Sequence, residues 1–188
     1  MHNTNKNQAE AAYGIIASKA NTNSITQALS GAAGFPFTIA ADVAVIPTIY
    51  MPLWNDIRRV YGYDPMDSVA LGNIVGKILP EVLADLAMDK VLGNVPILGI
   101  YFNAICAKAM TWRLGMLFTF LSSRGSTIPE ECIQKAMLLI RKSFPQNDMF
   151  KFQTPDKARF IKLITSVSSM SEVEMNARLD RAIEFLAD

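Results

Sequence analysis

The segment 35–64, FPFTIAADVAVIPTIYMPLWNDIRRVYGYD, constrains the fold of this chain more than any other. It is strongly apolar, it carries prolines at Pro36, Pro47 and Pro52, and its apolar part holds a lone acid, Asp42. It ends in a Tyr-Gly-Tyr-Asp turn. A proline inside a helix removes a backbone donor and clashes with the preceding turn. The spacing therefore predicts a helix over 38–61 that is kinked or broken near 46–51. The same prolines argue against a regular isolated membrane span, although membrane helices accept proline where neighbours satisfy the freed carbonyls.

A chain of 188 residues suits one domain. Its 51% apolar content lies at the upper edge for soluble proteins and leaves membrane association open. Net charge is +1, which gives no pull toward nucleic acid, and none is expected as a partner. Charge is unevenly spread: residues 1–123 hold eight Lys/Arg and eight Asp/Glu, and of the totals of 18 and 17, ten and nine remain for 124–188. The pattern divides into an apolar helical body, 1–123, and an amphipathic C-terminal helical cap, 124–188. The one histidine, His2, stands at the N-terminus, which excludes internal Ser-His-Asp or Cys-His chemistry and a histidine metal site. Cys106 and Cys132 lie in apolar helical patterns without CxxC spacing and read as buried thiols, with one disulfide as the alternative. No apolar stretch follows the polar N-terminus directly, so a cytosol-facing location is expected.

Apolar periodicity predicts further helices over 7–30, 66–90, 96–122, 128–144, 155–169 and 172–187, and no run alternates long enough for a strand. The fold class is therefore all-α: an apolar bundle with proline-kinked helices and a soluble helical cap. Gly62 is placed to end the second helix in the left-handed conformation, and Asp64 or Asp67 to cap the next one. Thr127 with Glu130, and Ser171 with Glu174, have capping-box spacing; Thr154-Pro155-Asp156 is a further helix start. The run 91–107 is uncharged over 17 residues, marginal for a span and equally consistent with a buried helix hairpin.

Asp42 is the first candidate site residue. A carboxylate in an apolar helix is costly unless paired, and the available partners Lys77, Lys108 and Arg113 each lie in another apolar helix. A buried ion pair is one reading; an acid near a positive helix start is the other. Trp54, Arg58, Arg59, Tyr61 and Tyr63 have the composition of a membrane-interface belt, or of a solvated helix end whose cations face the terminal carbonyls. Glu81, Asp85 and Asp89 recur at i, i+4 and i+8, which describes a solvated acidic stripe better than a cation site, since no second carboxylate helix matches it. Neither GxGxxG nor GxxxxGK[ST] occurs, so no cofactor is expected.

Gly34-Phe35-Pro36-Phe37, Ala41-Asp42, Met51 and Val60-Tyr61-Gly62-Tyr63-Asp64 resemble the YcjF-like family of hydrophobic helical domains. Val95-Pro96-Ile97-Leu98-Gly99, Asn103-Ala104 and Thr111-Trp112-Arg113-Leu114-Gly115 are similar to its later helix, so the likeness covers 30–122. The YGYDP turn also resembles the EcsC-like family. The resemblance implies a helical, membrane-associated, non-catalytic module that works with a bacterial small GTPase or in membrane stress. This chain carries no GTPase domain, so that partner would act in trans, and the resemblance brings no catalytic residue with it.

The expected function is a non-enzymatic, membrane-associated module on the cytoplasmic side of the inner membrane, entering it through a hairpin around 47–52 or 91–107 and recruiting a partner protein. The alternative is a soluble cytoplasmic bundle that holds a lipid or another apolar ligand. If Asp42 is buried with Arg113, Asp42→Ala should cost about 3–5 kcal/mol, and adding Arg113→Met should recover much of it. Urea unfolding of both single variants and the double measures this, and additive losses would mean that the two side chains do not meet.

Overall fold

The computed structural model describes residues 2–32, 39–78, 98–125, 130–145 and 151–184, and within them the chain is all-α, with seven helices and no strand. In chain order these are α1 (His2–Ala32), α2 (Ile39–Val60), α3 (Ser68–Lys77), α4 (Leu98–Arg124), α5 (Glu130–Ser143), α6 (Lys157–Ser168) and α7 (Glu172–Glu184).

Helix α4 organises the rest. It is apolar on every side, and a helix of that kind must be covered all round. Ala107, Met110, Trp112, Leu114, Leu117, Phe118 and Phe120 are all buried, and α4 touches α1, α2, α5 and α6. Two of its buried hydroxyls are satisfied locally, Thr111 and Thr119 donating to the carbonyls of Ala107 and Gly115, each at 2.7 Å, while the buried Ser122 Oγ has no hydrogen-bond partner among the described residues.

Each surrounding helix brings a stripe at helical spacing. In α1 it is Ala9, Ala12, Ile16 and Ala20; in α2, Tyr50, Leu53, Trp54 and Ile57; in α6, Phe160, Ile164 and Val167. The small residues of α1 let it approach α4 closely. At the crossing, a Cβ on Gly115 would stand 2.6 Å from Ile16 Cγ1.

Polar contacts tie the chain's two ends together across α1 and α6. Tyr13 Oη donates to the Pro155 carbonyl at 2.8 Å, and its ring meets Trp112 and Phe160 at 4.9 and 5.5 Å. Asn5 donates to Ser168 Oγ at 3.2 Å. Arg124, at the end of α4, donates to the carbonyls of Val167 and Met170, both at 2.7 Å, and so ties the end of α4 to the turn that follows α6. One continuous core runs from Ala9 to Leu179.

The caps follow local chemistry. Asp67 accepts from Ala70 N at 2.9 Å and starts α3; Asp156 accepts from Arg159 N at 2.7 Å and starts α6. Ser171 and Glu174 form a reciprocal capping box, whose hydrogen bonds hold the Glu174 carboxylate below its ordinary pKa. The predicted box at Thr127 and the acidic row Glu81, Asp85 and Asp89 lie outside the described residues.

Of the kink or break expected near 46–51, the break is absent. Helix α2 runs without interruption through Pro47 and Pro52, so this stretch is not a hairpin. Propensity is overridden by packing: Tyr50, Leu53, Trp54 and Ile57 are buried while Pro52 faces solvent, where its ring displaces no core contact.

Overpacking the α1–α4 crossing gives a direct test. Gly115→Ala should destabilise the fold by about 1–3 kcal/mol. In an Ile16→Ala background the same change should become neutral or stabilising, because alanine is about 1 kcal/mol better than glycine in a helix. Thermal unfolding of the four proteins of this cycle reads the coupling.

Candidate functional site

The most constructed feature of the described surface is the turn that joins α2 to α3. Gly62 takes φ 80°, the left-handed conformation that favours glycine. Around it, Gly62 N–H donates to the Arg59 carbonyl and Tyr63 N–H to the Arg58 carbonyl, both at 3.0 Å. That pair of bonds is a Schellman ending and closes α2 sharply.

Side chains then pin the turn from several directions. Asn55 acts as a surrogate backbone: its Oδ1 accepts from Met66 N at 2.9 Å and its Nδ2 donates to the Met66 carbonyl at 3.4 Å. Arg58 donates from Nε to the Asp64 carbonyl at 2.7 Å. The same guanidinium lies between two rings, 5.7 Å from the Trp54 centroid and 5.3 Å from that of Tyr63. Tyr63 in turn brings its hydroxyl against Gly125, the residue after α4, where φ is 70° and any Cβ would collide with it. The outer residues Gly62, Asp64, Pro65, Asp67, Ser68 and Val69 are exposed. The result is a solvent-facing loop with side-chain contacts to the helices on either side.

Beside the turn lies a charged trio. Asp56 is shared by Lys19 of α1 at 3.1 Å and Arg59 of α2 at 3.0 Å. These three residues, with Met51, Pro52, Asn55 and Ser68, line an open groove of about 610 Å³. A second open groove, of about 500 Å³, lies over α7 between Met170, Glu174, Arg178 and Arg181.

Of the five residues with interface composition, Trp54 is not at the surface: it is 2% exposed and packs edge-on against Phe118 at 4.5 Å. Apolar area drives it inward, at the expense of its indole N–H, which finds no hydrogen-bond partner among the described residues. Tyr61 is half-buried, its hydroxyl likewise without a partner, and burial raises its pKa well above the ordinary tyrosine value. Arg58 is half-buried in the stack, Arg59 is exposed, and Tyr63 is half-buried against Gly125.

The Asp42 group resolves differently. Asp42 falls within α2, but its side chain lies outside the described residues, as does that of Cys106. Lys108 is half-buried with Nζ 5.9 Å from the Phe152 ring centroid, and Arg113 is half-buried on α4. Cys132 is buried, and its thiol donates to Asn176 Oδ1 at 3.0 Å. Tyr50, fully buried, has its pKa pushed up to about 12 by that burial, against a hydrogen bond with Thr111. Among the described residues no group of His, Cys, Asp and Glu has the arrangement to hold a metal ion.

Sequence reasoning missed Asn55 and Lys19. Asn55 reaches a residue eleven positions on, and Lys19 meets its partner on another helix, so neither contact has a local spacing to betray it. No protein-family model, curated protein or solved structure matches the chain.

The clamp predicts a measurable rigidity. Asn55→Leu should speed hydrogen exchange at the Met66 amide and leave the core amides of α4 unchanged. Asn55→Asp, which keeps the acceptor, should preserve most of the protection. Equal exchange in all three proteins would show that Asn55 does not hold the turn.

Proposed function

We propose that this chain is a non-enzymatic docking module that lies against a membrane surface and presents the turn 61–67 to a partner protein. The observation that carries this reading is the turn itself: its outer residues are exposed, yet Asn55, Arg58, Trp54 and Tyr63 hold it in one conformation. A connector between two helices does not need that much support. Preorganisation of an exposed loop lowers the ordering cost of binding and is the usual arrangement for recognition on a rigid scaffold.

The membrane contact we infer is peripheral. No helix of the described residues is long and apolar enough to cross a bilayer. The apolar residues of α4 from 107 onward are already covered by α1, α2, α5 and α6. The partner class follows from the likeness of 30–122 to the YcjF-like family and is a small GTPase acting in trans. The alternative of a bundle that sequesters an apolar ligand has less behind it, because the two grooves described above are open to solvent.

Site-specific photocrosslinking in the cell of origin tests the reading. A photoreactive residue at position 64 or 65 should give one discrete adduct in the membrane fraction, released by high salt or alkali without detergent. The same residue at exposed positions 134 or 162 should give none. Recovery in the soluble fraction with no adduct from the turn overturns the reading, and an adduct that binds no guanine nucleotide replaces the partner class.

A further inference from the structure

We propose that the groove beside the turn binds the phosphate headgroup of an anionic phospholipid, with Lys19 and Arg59 as its cationic pair and Asp56 as an internal competitor. This rests on the peripheral membrane reading given above.

Two cations converge on one carboxylate here: Lys19 Nζ on Asp56 Oδ2 at 3.1 Å, and Arg59 Nη1 on Asp56 Oδ1 at 3.0 Å. The trio keeps an excess positive charge. It comes from two different helices, so the spacing between the cations is set by the packing of α1 against α2 rather than by one flexible segment. The side chains of Lys19 and Asp56 are about one third exposed and that of Arg59 is 63% exposed, so an anion reaches them without unfolding anything. Ion pairs this accessible contribute little to stability, so a second anion can share the two cations with the carboxylate at small cost. The phosphodiester of such a lipid carries one negative charge, as Asp56 does, and offers the guanidinium a bidentate acceptor.

The surroundings suit an amphiphile rather than a free ion. Met51 and Pro52 line the same groove as the trio. Ile49, Pro52, Asp56 and Arg59 follow one another at i, i+3, i+7 and i+10 and so share one face of α2. Ile49 is 38% exposed, and Val69, next to the groove residue Ser68, is 70% exposed; they are two of the three large apolar residues exposed among the described ones. A cationic pair beside apolar side chains, with Met51 and Pro52 in the groove and Ile49 on the same face of α2, is the arrangement by which a peripheral protein seats on the headgroup layer of an anionic leaflet. The groove also shares Arg59 and Ser68 with the ends of the turn, so a headgroup bound there would orient the turn relative to the membrane plane.

Co-sedimentation of the full chain with phosphatidylglycerol-containing vesicles and with pure phosphatidylcholine vesicles tests the proposal. Binding should require the anionic lipid and weaken with salt. Lys19→Ala and Arg59→Ala should each reduce affinity about fivefold. Asp56→Asn should raise it by a similar factor, a sign that a merely structural ion pair would not give. Lys162→Ala, an exposed charge on α6, should leave binding unchanged, and circular dichroism should show all variants folded.

Binding that ignores lipid charge and the groove variants overturns the groove while leaving the membrane reading intact, as does an equal loss in Lys162→Ala. An absence of vesicle binding, with inorganic phosphate still shifting the Arg59 side-chain resonances, overturns both the lipid occupant and the membrane reading. Tightening by Asp56→Asn together with weakening by both cation variants supports the proposal as stated.

Discussion

The structure depends on the need to cover α4. A helix of this length with apolar residues on all sides has no stable exposed orientation in water. Four other helices meet it, and their positions follow from how they do so. The closest approach is at Gly115, where the absence of a Cβ admits Ile16 and brings α1 into contact along much of its length. Because α1 lies there, it can also receive α6 through Tyr13, and Arg124 can reach the carbonyls of Val167 and Met170. The N- and C-terminal parts of the chain therefore share one core.

The same packing explains the continuity of α2. Two prolines weaken it locally, yet its buried stripe presents Tyr50, Leu53, Trp54 and Ile57 to the interior. Burying side chains of this size contributes about 1.5–3 kcal/mol each. That outweighs the roughly 3 kcal/mol penalty of a proline in a helix interior, several of them acting together. The stripe ends at the turn, where the interaction type changes. From Arg58 onward, hydrogen bonds, ring stacking and two left-handed glycines add to the partial burial of Tyr61 and Met66 against the core. A region held in that way can stay exposed and still be rigid, and this links the fold to the recognition role proposed for it.

Local signals carried well from sequence to structure where the governing interaction spans four residues or fewer. The all-α class, the left-handed ending at Gly62, the cap at Asp67 and the capping box of Ser171 with Glu174 were all legible, since each depends on dihedral preference or on a side chain reaching its own helix end. The continuity of α2 and the burial of Trp54 were not. Both were decided by apolar surface that arrives from α4, at a sequence distance no periodicity records.

The candidate site divides along the same line. Arg58, Arg59, Tyr61 and Tyr63 stood out by composition alone, but composition does not say that Arg58 is spent inside the turn while Arg59 faces outward. Asn55 and Lys19 gave no sequence signal at all. By itself the sequence determined that this chain would be helical, where most described helices begin and end, and that its middle would be too apolar to stand alone. Tertiary structure decided which apolar face meets which, that Asn55 closes on Met66, and that Lys19 and Arg59 share Asp56. The physical reason is range: caps and periodicity act within a few residues, whereas the groove and the clamp exist only once distant helices have been packed side by side.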